Sequence, residues 1–225
     1  MKTYAKSLIV SLMMILFFSS HSCKSQDTTS ERLIKIETLH GTMVIKLYDE
    51  TPGHRDNMIK LIEEDFFDGQ LFHRVIKDFM VQGGDPHSVG AEKGQRLGNG
   101  GPGYTLPAEF KNNLIHKKGA LAAARQGDQV NPQKESSGSQ FYLVQGKVYT
   151  PAELQIFTQQ GKATFTAETS EIYTTVGGTP HLDGSYTVFG EIVEGIEVLD
   201  IIAGTPTDSY NRPMEDVVYS ISIVR

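Results

Sequence analysis

The densest group of chemically capable residues lies at 72–84, which read FHRVIKDFMVQGG. Arg74 and Gln82 stand among large apolar side chains, and Gly83-Gly84 closes the run. Alternation through Phe72, Arg74 and Ile76 reads as one strand. Phe79, Val81 and Gly83 against Met80 and Gln82 read as a second. Paired, the two runs can present a guanidinium, an amide and bulky apolar groups to one concave surface. Such a surface suits a ligand that is apolar at one end and carries a peptide carbonyl at the other. A hydrophobic hairpin with a solvated arginine is the plainer alternative for this segment alone.

Holding these groups in place requires a sheet, and the rest of the chain offers one. Leu33–Glu37 and Thr42–Leu47 alternate around His40-Gly41, as in an antiparallel hairpin. Thr51-Pro52 reads as an N-cap with proline at the first helical position, ahead of an apolar stripe of Met58, Ile59, Leu61 and Ile62. Gly119–Arg125 is a strand of small residues, where the backbone itself can approach a ligand. In Gly138–Val144, Gln140 and Tyr142 share one face and Phe141 takes the other. Asp183-Gly184 reads as a turn before a strand over Tyr186–Ile192, with Phe141 and Phe189 assigned to the core. Ile196–Ile202 reads as a short helix ending at Gly204, and Val217–Val224 as a closing strand. Many short strands with two helices that do not alternate with them predict a mainly β fold, a barrel or sandwich.

The 225 residues are 39% hydrophobic and 21% charged, which fits one ordinary globular domain. A formal charge of −6 with no long Lys/Arg stripe argues against nucleic acid as the main partner. The N-terminus differs from the rest. Lys2 and Lys6 precede an apolar run from Leu8 to Phe18, interrupted only by Ser11 and too short for a membrane-spanning helix of about 20 residues. It suits the core of a signal peptide over 1–22. Cys23, the only cysteine, excludes an intramolecular disulfide. Its position resembles the acylation site of bacterial lipoproteins, with Ser20 where a leucine is usual; simple cleavage near Ser22 is the alternative. Residues 23–32 then form a lipidated cysteine and polar tether, and 33–225 the domain. The expected location is the bacterial cell envelope, on an inner- or outer-membrane anchor facing the periplasm.

Other motifs carry less. Gly98-Asn99-Gly100-Gly101-Pro102-Gly103 matches the glycine spacing of a dinucleotide site, but Pro102 and the lack of a following apolar helix make it a loop. The histidines lack metal-ligand spacing, so no metal is expected, and His54, His87 and His116 read as solvated. Ser139 lacks the context of a hydrolase elbow.

Five segments, FHRVIKDFMVQGGD, GNGGPGYTLPAEF, GALAAAR, GSQFYLV and HLDGSYTVFGEIVEG, occur in an order that resembles the cyclophilin family of peptidyl-prolyl isomerases. The resemblance covers most of residues 33–225. It implies an eight-stranded antiparallel β-barrel capped by two helices, proline-containing polypeptides as substrates, and no cofactor. By position, Arg74 matches the catalytic arginine and Gln82 the glutamine that steadies it. His73, Phe79, Met80, Ala124, Arg125, Gln140, Tyr142, His181, Leu182 and Tyr186 match the substrate groove. Arg125 stands where many members have Asn, Tyr142 where Phe is common, and Tyr186 where His is common. His181 occupies the place where cyclosporin-sensitive members carry Trp, which speaks against tight cyclosporin binding. A non-catalytic proline-peptide-binding chaperone or scaffold on the same fold is the alternative function.

The implied reaction has a simple physical demand. Resonance gives the peptide C–N bond a rotational barrier of about 18–20 kcal/mol, and X-Pro exchange takes roughly 10–100 s. A catalyst must favour the twisted state, in which the prolyl nitrogen gains a lone pair. Arg74 can donate to that nitrogen or the neighbouring carbonyl and cannot lose its charge. The largest departure from compact relatives is an insertion at about 145–180. There Thr150-Pro151-Ala152-Glu153 predicts a capped helix that can turn Leu154, Phe157 and Gly161 to the barrel. A second short helix is expected at Glu171–Val176, ending at Gly177-Gly178. A surface elaboration is the plain reading; the sharper one borders the pocket through His181 and tunes substrate choice or partner docking.

Overall fold

The computed structural model describes residues 32–224. The expected signal peptide at 1–22, the Cys23 acylation site and nearly all of the tether lie outside the described residues. No helix among the described residues is long and apolar enough to cross a membrane.

Strands β1 (Arg32–Thr38) and β2 (Gly41–Leu47) form the expected hairpin, with Thr38 opposite Gly41. After helix α1 (Pro52–Glu63), a tight hairpin of β3 (Arg74–Ile76) and β4 (Met80–Gly83) follows. Next come β5 (Thr105–Leu106), β6 (Ala120–Ala123), β7 (Ser136–Ser137) and β8 (Phe141–Val144). The insertion carries α2 (Pro151–Gln159) and α3 (Ala167–Thr175). β9 (Val188–Glu194), α4 (Ile196–Ala203) and β10 (Tyr219–Ile223) complete the chain.

Eight strands make one antiparallel sheet in the order β10-β1-β2-β9-β6-β8-β4-β3, while β5 and β7 pair separately. The sheet curls until its edges meet. Just before β3 and β10, Leu71 bridges Val218, Phe72 N–H donates to Val217 O at 2.9 Å, and Tyr219 N–H donates to Gln70 O at 3.1 Å. This agrees with the expected eight-stranded fold.

The period of two along each strand divides the apolar residues between two sides. Leu121, Ala123, Phe141, Leu143, Val75 and Val81 point into the barrel, where Met58, Leu61 and Ile62 of α1 and Val198, Leu199 and Ile202 of α4 close its ends. Ala120, Ala122, Tyr142, Val144 and Met80 lie on the outer face. Phe72 departs from the sequence expectation. It packs in the barrel core against Tyr219 and Phe141, because β3 begins only at Arg74 and the alternation does not extend back to it.

Three local expectations need correction. Thr51 is the N-cap residue of α1 but its side chain makes no capping bond, and its buried hydroxyl has no partner among the described residues. Glu109 caps instead, its carboxylate accepting from Gly53 N–H at 3.1 Å and His54 N–H at 2.9 Å. His54 and His116 are buried, not solvated, each bonded through both ring nitrogens; His87 alone of the three is exposed. The second helix of the insertion starts at Ala167, four residues ahead of the expected Glu171, since Thr166 forms a capping box with Thr169. At α2 the predicted box is present, Thr150 accepting from Glu153 N–H and Glu153 accepting in return.

Candidate active site

A cleft of about 420 Å³ opens on the outer face of the barrel, beside the β3–β4 hairpin. The register pairs Arg74 directly with Gln82 and Ile76 with Met80. Side chains of paired residues leave a sheet on the same side, so Arg74, Gln82 and Met80 converge on the cleft.

The half-buried Arg74 is held but not consumed. Its Nη1 donates to Gln82 Oε1 at 3.1 Å and lies 4.0 Å from Met80 Sδ; its other N–H groups have no partner among the described residues. Gln82 Nε2 donates to Gln140 Oε1 at 2.9 Å, and Gln140 Nε2 donates to Gly100 O at 2.8 Å. Both amides are thereby fixed in orientation, with the oxygen of Gln82 toward the guanidinium. Burial lowers the Arg74 pKa from its ordinary value, opposed by Tyr186, and a guanidinium remains protonated through such a shift.

Around this polar edge stand Phe79, Met80, Tyr142, Leu182 and Tyr186, with Ala124 at the end of β6. They form an apolar cup that opens beside the free donors of Arg74. Arg125 does not aim its charge into the cleft. Its guanidinium lies 4.5 Å from the Tyr186 ring centroid and donates from Nε to Ser185 O at 2.8 Å, so it braces that wall. The Arg125 main-chain N–H and C=O make no hydrogen bond among the described residues. They remain available to an extended peptide.

Tyr142, the floor of the cup, is anchored from behind. Its hydroxyl lies 3.0 Å from His116 Nε2, and His116 Nδ1 lies 2.8 Å from Asp183 Oδ1. Asp183 also accepts from His116 N–H at 2.8 Å and from the Tyr173 hydroxyl of α3 at 2.6 Å. Since a carboxylate only accepts, His116 Nδ1 carries a proton; in the singly protonated ring Nε2 then accepts from Tyr142. Burial first, then Tyr186 and Asp183, hold the Tyr142 pKa well above its ordinary value. Asp183, expected as a turn former, is therefore also a hub joining the cup to the insertion.

His73 is buried at the cleft edge, and neither ring nitrogen has a hydrogen-bond partner of normal geometry among the described residues. Burial pushes its pKa down to about 4, with Asp85 pulling upward and Arg74 downward. It is a neutral group at pH 7.

Of the residues expected at the site, Arg74, Gln82, His73, Phe79, Met80, Ala124, Arg125, Tyr142, Leu182 and Tyr186 line the cleft. Gln140 stands behind Gln82 and lines an adjoining groove of about 680 Å³ that shares Gln82, Gly98, Asn99, Ala124 and Arg125 with the cleft. His181 is exposed and lines a neighbouring groove with Phe157. Sequence reasoning missed the opposite rim, Gln95–Asn99 with Tyr210 and Arg212. Buried Arg212 ties that rim down, donating to Ala91 O at 3.1 Å and Glu92 O at 2.7 Å while pairing with Asp216 at 2.9 Å. Arg96 stacks 4.6 Å from the Tyr210 ring.

Two glycines of the expected motifs have steric reasons. Gly84 has φ +88°, and a Cβ there would sit 2.1 Å from Ser139 O. A Cβ on Gly100 would sit 2.0 Å from Asp85 Oδ1, the carboxylate that also accepts from Gly98 N–H and holds the glycine loop. That loop runs on into β5, and no helix follows it directly. Among the described residues no cluster of His, Cys, Asp and Glu could hold a metal ion.

Comparison with known proteins places this geometry. Residues 33–223 match the family model described as "Cyclophilin type peptidyl-prolyl cis-trans isomerase/CLD". The chain is 35% identical over 186 residues to a Staphylococcus aureus protein named "Putative peptidyl-prolyl cis-trans isomerase", covering 82% of this chain and 87% of that one. It is 37% identical over 190 residues to a Streptococcus pyogenes protein named "Putative bifunctional phosphatase/peptidyl-prolyl cis-trans isomerase", of which it spans only 37%. A crystal structure of a Cryptosporidium parvum cyclophilin-type isomerase superposes with TM-score 0.62 at 23% identity, covering 87% of this chain and 98% of that one. Another crystal structure of the parasite enzyme, obtained in the presence of the dipeptide Ala-Pro, gives TM-score 0.61.

Proposed function

Because this chain belongs to the cyclophilin-type peptidyl-prolyl cis-trans isomerase family, we propose that Arg74 drives X-Pro isomerisation by stabilising the twisted amide. The observation that carries this reading is the arrangement of Arg74 beside the apolar cup. One guanidinium nitrogen is tied to Gln82 and the remaining donors have no partner among the described residues. A proline ring in the cup would bring its nitrogen and the preceding carbonyl to those donors. A preorganised donor aimed at charge that develops only in the transition state accelerates the step, whereas equal binding of ground and transition states would not. Gln82 orients the guanidinium; the free main-chain groups of Arg125 would hold the substrate backbone.

The cup also bounds affinity. Burying three ring methylenes is worth about 2–2.5 kcal/mol at ~0.8 kcal/mol per CH₂. Short peptides therefore bind weakly, as suits a catalyst that must release its product. The parasite relative crystallised in the presence of Ala-Pro makes that dipeptide the first probe for this cup. Exchange NMR on an Ala-Pro peptide tests the reading. Substoichiometric protein should raise the cis–trans exchange rate well above the uncatalysed one and shift resonances of Phe79, Met80 and Tyr142. Absence of exchange enhancement would contradict it.

The apolar run ahead of Cys23 supports export and lipid anchoring at that cysteine, with exported envelope proteins as folding clients. Intact mass of the membrane-extracted protein tests this. A mature chain starting at Cys23 with a diacylglycerol adduct is expected, and a soluble mature chain starting elsewhere would rule the anchor out.

A further inference from the structure

The insertion does not merely cover the barrel. Its first residues hold the cup: Gln145 N–H and Gly146 N–H both donate to Phe79 O at 3.0 Å, and Gln145 Oε1 accepts from Asp78 N–H at 2.6 Å. Beyond them lies an open groove of about 650 Å³, lined by Lys147, Tyr149, Ile156, Phe157, Lys162 and His181. A stack of near-parallel rings joins it to the cup. Phe79 and His181 lie 5.8 Å apart at 22°, and His181 and Phe157 lie 6.1 Å apart at 18°. Phe79 walls the cup and Phe157 walls the groove, so the two cavities adjoin along this stack.

The groove is built to accept an apolar group. Tyr149 is buried at its base and packs edge-on against Phe157 at 5.6 Å. Phe157 belongs to a small core with Leu154, Tyr173 and Ile115 that fixes α2 and α3. On the rim Ile156 remains 50% exposed although it faces the groove. Lys147 is occupied by Glu153 at 2.7 Å and lies 4.8 Å from the Tyr149 ring, so it frames the groove without closing it.

We propose that this groove is a subsite of the same substrate channel, taking one large apolar side chain of the polypeptide whose proline occupies the cup. The inference rests on the isomerase reading above, since continuity with the cup is what selects a substrate residue as the occupant. The two ring-to-ring steps span roughly 12 Å at most, which an extended chain covers in about three or four residues. The preferred side chain is therefore displaced from the proline by that number. A substrate with this spacing gains burial that an Ala-Pro dipeptide cannot reach, and the insertion becomes a selectivity element.

The test uses alanine-based peptides with one central Ala-Pro and a single Phe moved one position at a time through four residues on either side. Exchange NMR gives kcat/KM for each, relative to the peptide without Phe. The wild-type protein should favour one register, three or four residues from the proline, by roughly five- to tenfold, through a lower KM. That ratio should fall to near one in Phe157→Ala and, independently, in Ile156→Ser, a rim change that leaves the ring stack in place. Equal ratios in all registers, or a preference that survives in both variants, would overturn the subsite. No turnover of any peptide, including the one without Phe, would overturn the isomerase reading itself and the subsite with it.

Discussion

Arg74 and Gln82 face each other across adjacent strands, and their 3.1 Å bond leaves the outer donors of the guanidinium free over an apolar cup. The bond sits in a longer chain, because Gln82 is held by Gln140 and Gln140 by Gly100 O. Position and orientation thus come from different places. The strand register sets where the arginine points, and the amide chain sets how it is rotated.

Gln82→Ala removes a hydrogen bond to a charged group and leaves Gln140 without its donor. Such bonds are worth about 1.5–3 kcal/mol. We expect kcat/KM on an Ala-Pro peptide to fall roughly tenfold, mostly in kcat, and the melting temperature to drop by several degrees. Exchange NMR with parallel thermal melts checks this, and an unchanged kcat would show that the orientation of Arg74 does not depend on Gln82.

The Tyr142 floor is coupled to the insertion through His116 and Asp183. His116→Ala should cost about 2–4 kcal/mol in urea unfolding, since it orphans the Tyr142 hydroxyl and removes the ring bond to Asp183, while the backbone N–H bond to Asp183 remains. Adding Tyr142→Phe should recover part of that loss, because no hydroxyl then needs a partner. Additive losses within about 0.3–0.5 kcal/mol would mean the two side chains act independently.

His73 makes stability pH-dependent. Its folded pKa of about 4 lies below the ordinary 6.5, so between those values the unfolded chain binds a proton that the folded chain refuses. Its contribution is fully retained above 6.5 and is lost as pH falls through the window to about 4. The full loss is up to roughly 3 kcal/mol. Burial also lowers the His54 pKa, against the pull of Glu109, which adds in the same direction. Urea midpoints at pH 7 and pH 4.5 should differ less in His73→Leu than in the wild type; equal differences would reject this assignment.

Glu109 caps α1 from a distant loop and accepts a 2.6 Å bond from the His54 ring. Glu109→Ala should destabilise by about 1–3 kcal/mol in thermal or urea unfolding, the range of a lost cap plus a buried bond. Thr51→Ala should cost far less, because its hydroxyl bonds nothing.

Much of this was legible in the chain, and particular residues show why. The hairpin at 72–84 shows in its alternation, which gives both the Arg74–Gln82 pairing and the shared face of Met80. The box at Thr150–Glu153 is local chemistry and was readable for the same reason. His54 and His116 were not, since their partners Ser136 and Asp183 lie 82 and 67 positions away and no periodicity marks them. The rim at Gln95–Asn99 has no strand or helix pattern; the Ala91-Glu92 segment leading into it is held by Arg212, some 120 positions later, and Gly98 by Asp85. His181 was expected in the cleft on family position alone. The added helix α2 instead offers it a ring to stack on, in the groove next door.

The central claim is that the Arg74 guanidinium supplies the rate acceleration. The most direct measurement is kcat/KM of Arg74→Ala on an Ala-Pro peptide by exchange NMR, beside its melting temperature. Loss of one preorganised donor predicts a penalty of about 3 kcal/mol, roughly a hundredfold, with the fold intact. A folded variant within a few-fold of the wild-type value would contradict the account.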